Sequence, residues 1–337
     1  MNTIKDIARA VGVSTATVSN ALNGRSNVSA EVRERVMKAA REMNYVPNIN
    51  ARLMKSRKTN NIGVFLPYLQ STFYLNLIQE IYACCESAGY SMLVHISRDI
   101  DSTMLLSNIL SCNIDAAIVL SDRFPDSCIP MLRSKEMPVV FLDRRAAEKD
   151  ISSVVINEEQ GTRQAVEYLV NTGHKVIGHL YGIPEVNSAK VKRRAFARTM
   201  EELGMPVYPQ LMLPGQYSEY KSYVVMRALL SQRPLQPMPD AFLCADDETA
   251  LGCIKALQDE GFSVPRDVSV TGFSSTRTVT NDHLLLSRVH YSMNELARTA
   301  VELLLNMLRE GKPGEVRLVG TEFIVGDTTR MRLLSAP

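Results

Sequence analysis

The chain has 337 residues, 45% hydrophobic and 22% charged, which allows two or three domains with buried cores and describes an ordinary globular protein. No apolar run reaches the roughly 20 residues needed to cross a bilayer, and the start, Met1-Asn2-Thr3-Ile4-Lys5-Asp6, lacks the pattern of a signal peptide. A cytoplasmic protein with no membrane partner is expected. The net charge of +2 hides an asymmetry: residues 1–60 hold eleven Lys/Arg against four Asp/Glu, a basic head suited to phosphates on a mildly acidic body.

The head reads as three helices. Thr3 and Asp6 form a capping-box-like start, and Ile4, Ile7, Ala8 and Val11 recur at helical spacing until Gly12 stops the run. Ser14 caps a second helix, Thr15 to Leu22, closed by Asn23-Gly24, and Ser29 caps a third, Ala30 to Met43. Two short helices joined by Gly12-Val13-Ser14 make a helix-turn-helix candidate, whose second helix would lie in the major groove. Thr15, Ala16 and Thr17 stand near its start and Asn20 one turn on; Asn can bond adenine at two points, and an Ala or Thr methyl can meet thymine. A three-helix module for protein contacts would share the periodicity and the charge.

The motifs Ala16-Thr17-Val18-Ser19, Leu22-Asn23-Gly24, Tyr45-Val46-Pro47-Asn48 and Ala51-Arg52 resemble the head of the LacI/GalR family of bacterial transcription regulators, and the resemblance runs through essentially the whole chain. It implies a homodimeric repressor on a near-palindromic operator. Residues 1–47 would be the helix-turn-helix domain, 48–60 a hinge helix and linker, and 61–337 a two-lobed core for effector binding and dimerisation. The lobes would comprise about 61–157 with 291–320, and about 158–290 with 321–337. The implied DNA contacts are Thr3, Ser14, Thr15, Ala16, Thr17, Ser19, Asn20, Asn23, Asn48, Ala51 and Met54. Met54 takes the place of the minor-groove wedge, usually Leu, and Met is among the side chains that can part a base step. Asn20 stands where the family commonly has a guanine-reading Arg, which implies an altered operator.

In the body, β-branched runs alternate with helical patterns. Strands are expected at Ile62–Leu66, Ser91–Val94, Ala116–Leu120, Val139–Leu142, Val154–Ile156, Val176–Leu180, Ala241–Cys244, Val268–Thr271 and Phe323–Val325. Helices are expected at Leu75–Ala88, Glu159–Thr172, Lys192–Leu203, Thr249–Glu260 and Met293–Glu310. Such alternation predicts α/β lobes built on parallel sheets, with a ligand site in the cleft between them. The resemblance implies a periplasmic-binding-protein-like arrangement.

The same resemblance implies effector contacts at Phe73 and Tyr74, at Arg144 in Leu142-Asp143-Arg144, at Lys192, at Asp246 and at Ser274. Lys192 stands for a ligand-gripping Arg, and Ser274 for an Asp. A flexible point charge replaces a two-point fork and a charged acceptor is lost, so an anionic effector is favoured over a neutral sugar held in the usual way. Two other readings stay open: control by a phosphorylated carrier protein docking on the core, and a solute-binding protein with no regulatory role. Catalysis is not expected. The five histidines show no metal spacing, no nucleophile or phosphate-loop motif occurs, and Asp246-Asp247 reads as a helix cap with a ligand contact. The six cysteines, scattered among apolar residues, read as buried thiols, and no cofactor or metal is expected.

Overall fold

A computed structural model describes residues 3–22, 27–45, 58–69, 71–96, 102–120, 124, 126–134, 136–142, 144–146, 150–232 and 237–331. The chain divides into two compact units, Met1–Thr59 and Asn60–Pro337.

The first unit holds α1 (Ile4–Val11), α2 (Thr15–Leu22) and α3 (Ala30–Glu42). The Asp6 carboxylate accepts from the Thr3 N–H at 2.8 Å and from its hydroxyl at 2.7 Å, closing the start of α1. Gly12, at φ 71°, ends that helix in the left-handed conformation a non-glycine residue resists. Ser14 Oγ accepts from the Thr17 N–H at 3.0 Å and caps α2. Ile7, Val11, Val18, Ala21, Val36 and Ala40 form the small core, and Arg35 donates to the Val11 carbonyl at 2.7 Å, tying α3 to the end of α1.

The second unit begins with β1 (Asn61–Leu66), α4 (Thr72–Ser87), β2 (Ser91–Ile96), α5 (Ser102–Ser111), β3 (Ala116–Val119), α6 (Ile129–Arg133), β4 (Val139–Phe141) and β5 (Ile151–Ile156). It continues with α7 (Glu158–Asn171), β6 (Ile177–Tyr181), α8 (Asn187–Glu202), β7 (Met212–Pro214), α9 (Glu219–Leu230), β8 (Ala241–Cys244), α10 (Asp247–Asp259), β9 (Ser269–Ser274) and β10 (Ser287–Tyr291). It ends with α11 (Met293–Glu310), β11 (Val316–Val319) and β12 (Thr321–Ile324). One sheet runs β11-β5-β4-β3-β1-β2, parallel throughout. The other runs β12-β10-β9-β8-β6-β7, parallel except for the antiparallel β10–β12 pair. The chain therefore passes between sheets three times: after β5, after β10, and between β11 and β12.

Buried apolar clusters cover both faces of each sheet, which is why the strands read as continuous apolar runs. Strands interrupted by polar residues are harder to read. β5 begins at Ile151, three residues before the expected Val154, because Ser152 and Ser153 are satisfied inside the fold. The Ser153 hydroxyl donates to the Ala146 carbonyl at 2.7 Å, and Ser152 Oγ accepts from the Glu315 N–H at 3.1 Å. The polar β10, the short β7 and the edge strand β11 escape sequence reading for the same lack of apolar contrast. So does α9, whose Tyr223-Val224-Val225 core looks like a strand; Ser218 caps it by accepting from the Lys221 N–H. Helix α8 starts at Asn187, five residues before the expected Lys192, because its first turn faces the cleft and carries polar residues rather than apolar ones.

Candidate functional site

In the head, Thr15 and Ala16 are exposed and Ser19 and Asn20 half-buried, while Val18 and Ala21 of the same helix are buried in the core. These four residues make one accessible face of α2. Ser14 and Thr17 are engaged with each other, hydroxyl to hydroxyl at 2.8 Å, and Thr3 with Asp6, so these three side chains hold helix ends. Asn23, Asn48, Ala51 and Met54 lie outside the described residues.

In the core, a cleft of about 1390 Å³ opens at the carboxyl ends of the parallel strands of both sheets. That is where ligands bind in open α/β folds. All six effector-contact residues expected from sequence line it: Phe73, Tyr74, Arg144, Lys192, Asp246 and Ser274. Asp143 lies outside the described residues. Phe73 and Tyr74, in the first turn of α4, pack edge to face at 5.2 Å between centroids, with Tyr68 against Tyr74 at 4.8 Å. The Arg144 guanidinium lies 5.2 Å from the centre of the Phe141 ring.

The floor differs from what the residue types suggest. Lys192 is only 6% exposed. Its ammonium lies 3.4 Å from Glu158 Oε1, donates to the Ala245 carbonyl at 3.0 Å, and sits 3.8 Å from the centre of the Phe273 ring. The charge expected to meet an anionic effector is thus already matched inside the protein. Glu158 also accepts from the Ser188 hydroxyl, and Ser188 lies 3.2 Å from the Tyr217 hydroxyl. Tyr217 and the preceding Gln216 both hold positive φ, 54° and 56°. Such backbone costs on the order of 1–2 kcal/mol per non-glycine residue and persists where packing enforces it. A side chain at Gly182 would strike the Tyr217 ring, so the ring lies directly on that backbone. Glu158, Ser188 and Tyr217 escape sequence reasoning; an acid directly after a crossover strand is the one available signal.

Asp246 caps α10, accepting from the Thr249 N–H at 2.8 Å, and burial raises its pKa. The Ser274 hydroxyl accepts from the Thr276 N–H at 3.0 Å. Asp247 is 8% exposed, and a Cβ on Gly272 would fall 2.3 Å from its Oδ1, so the carboxylate lies against the β9 backbone. Burial drives its pKa up to about 6; loose hydrogen bonding from Thr278 and Ser274 and the Arg288 charge oppose the rise, while Asp246 adds to it. Neither Asp247 oxygen has a hydrogen bond of good geometry among the described residues.

Behind the floor, the fully buried His179 stacks on Phe196 with 5.0 Å between ring centres, and its Nδ1–H donates to the Leu243 carbonyl at 2.8 Å. Burial lowers its pKa to about 4, with Lys192 and Arg193 adding to the effect. These two groups pull stability in opposite directions across mild acid. As pH falls from 6.5 to 4 the unfolded chain protonates its histidine and the folded chain does not, so His179 costs stability. Over roughly the same window the folded state holds the Asp247 proton more tightly than the unfolded state does, so stability gained there is lost as pH rises toward 6. Asp247→Asn removes the second contribution alone. Its melting temperature is expected to fall more steeply than that of the parent chain between pH 6.5 and 4.5 (about the interval between the two pKa values); parallel melting profiles would contradict this assignment.

Residues 3–48 match the model of the bacterial regulatory proteins, lacI family, and residues 166–329 match the periplasmic binding protein-like domain. The catabolite control protein A of Priestia megaterium is 32% identical over 312 residues, spanning 91% of this chain and 93% of that protein. The probable HTH-type transcriptional repressor ExuR of Bacillus subtilis is 29% identical over 336 residues, spanning 98% and 99%. A crystal structure of the lac repressor dimer bound to operator and the anti-inducer ONPF matches with a TM-score of 0.83 at 26% identity, over 98% of this chain and 99% of that one.

Proposed function

The chain belongs to the lacI family of bacterial regulatory proteins, and from that premise we propose that it is a homodimeric repressor that reads a near-palindromic operator through α2 and is controlled by a small molecule in the core cleft. It is a DNA-binding transcription regulator with an effector-binding core. Its relatives are transcription repressors, and no catalytic role is assigned to it.

The observation that carries the operator reading is the face of α2: Thr15, Ala16, Ser19 and Asn20 accessible, on a helix whose Val18 and Ala21 are locked in the core of a basic head. Asn20 and the methyl groups of Thr15 and Ala16 are assigned to base edges, and the basic residues to phosphates. Homodimerisation is supported by the edge strand β2, where Leu93, Val94 and Ile96 are exposed beside the exposed Tyr82 of α4. An edge strand with three exposed apolar residues is a pairing surface unless something covers it. No described helix is long and apolar enough to cross a membrane, and a cytoplasmic setting is assigned on the regulatory role.

An effector can change operator affinity only by as much as its affinities for the two states of the core differ. The reading is tested by selecting binding sites from random duplex DNA and repeating the titration with Asn20→Ala. A palindromic site is expected, with the variant losing about 1–3 kcal/mol on it and relaxing one base position. Equal loss on selected and random DNA would remove the base-reading role; no enriched site would remove the operator reading.

A further inference from the structure

Charge is unbalanced at the floor of the cleft. Three carboxylates, the buried Asp247 and the half-buried Glu158 and Asp246, face one ammonium, Lys192, with the buried Arg288 guanidinium close enough to Asp247 to act on it. One negative charge is left over on the adjacent Asp246–Asp247 pair, of which Asp247 is the less satisfied member. Glu158 is paired with Lys192, Asp246 accepts a backbone N–H as a helix cap, and Asp247 has no hydrogen bond of good geometry to either oxygen among the described residues. A buried carboxylate in that condition is costly unless something completes it.

We propose that the cleft takes an effector carrying a cationic nitrogen, which Asp247 receives at the floor beside Asp246, within aromatic walls. The proposal rests on the effector-cleft reading above and deepens it. Lys192 shows that this floor accepts an ammonium: the side chain sits over the Phe273 ring with a carboxylate and a carbonyl as its other neighbours. Phe73, Tyr74, Tyr217 and Tyr291 add further ring surface around the same space. An anionic group would meet Asp246 and Asp247, while Lys192 is already paired and Arg288 already acts on Asp247. A neutral hydroxyl could donate to Asp247 but would leave its charge uncompensated. The geometry therefore reverses the anionic preference that Lys192 and Ser274 suggest from sequence.

Matched fragments test the class of effector directly. Benzylammonium, benzyl alcohol and benzoate share one ring and differ in the charge of the head group. Their binding to the full-length protein is measured by calorimetry at neutral pH, beside Asp247→Asn and Asp246→Asn. Benzylammonium is expected to bind at least about tenfold more tightly than benzyl alcohol, a ratio set by a charge-assisted contact, with benzoate weakest. Asp247→Asn should abolish the preference while raising the melting temperature, because it removes a charge whose burial outweighs the help of its neighbours. Asp246→Asn, which keeps a capping side chain, should reduce the preference partly. Benzyl alcohol or benzoate binding as tightly as benzylammonium would overturn the proposal. So would absence of benzylammonium binding at millimolar concentration, or an unchanged preference in Asp247→Asn. Operator binding is measured on the same samples, so a protein that binds operator but prefers benzoate loses only the cationic class and keeps the regulatory reading.

Discussion

Lys192→Met is expected to cost the core about 3–5 kcal/mol at neutral pH, the loss typical of breaking a buried ion pair on one side only. The methionine keeps the apolar stem against Phe273 but leaves the Glu158 carboxylate, whose side chain is 11% exposed, without its counter-ion at 3.4 Å. The Ala245 carbonyl loses its donor in the same step. Adding Glu158→Gln removes the stranded charge, so the double variant should recover most of the loss, and the two changes should be strongly non-additive. Urea midpoints of the four proteins measure this directly. A single-variant loss below about 1 kcal/mol would mean that the pair behaves as a solvent-exposed one. Any weakened effector response in Lys192→Met must be judged against this stability loss, because Lys192 holds the floor together as well as lining it.

Much of this architecture is legible in the chain alone. The capping pair Thr3–Asp6, the Gly12 stop, the Ser14 cap and the apolar positions of α1 to α3 are all local signals, and the structure uses them locally. The buried strands of both sheets stand out because helices cover them on two sides. The six residues expected to contact an effector line one cleft, although they are drawn from separate loops, helices and a strand end far apart in the chain. What sequence could not provide is which charges cancel. Lys192 and Glu158 are far apart in the chain and meet only because α7 and α8 pack together. Asp247 reads as an ordinary first-turn acid of a helix, and only the fold shows its carboxylate pressed on the β9 backbone at Gly272. Tyr217 is invisible for a similar reason: its position depends on two left-handed residues and on the absence of a side chain at Gly182.

Gly252→Ala should destabilise the core by about 3 kcal/mol or more, although alanine is the better helix former by about 1 kcal/mol. A Cβ at position 252 would lie 2.1 Å from the Glu219 carbonyl oxygen and 2.9 Å from the Ser222 Cβ. Backbone blocks it, so rotamer changes offer no escape and helices α9 and α10 must separate. They are held close by the Ser222 hydroxyl, which donates to the Thr249 carbonyl at 2.6 Å, and by Arg227 with Glu260 at 3.1 Å. Separation reaches the cleft as well, since α10 begins at Asp246 and Asp247 and the segment leading into α9 carries Tyr217. Loss of stability should therefore be accompanied by weaker benzylammonium binding. Gly320→Ala is the control: a Cβ there meets nothing within 4 Å, and its effect should stay within about 0.5 kcal/mol. Denaturant midpoints that fall for Gly252→Ala and hold for Gly320→Ala establish the close approach. A midpoint at or above that of the parent chain for Gly252→Ala would mean that helix propensity prevails and that α9 and α10 can yield without moving the floor.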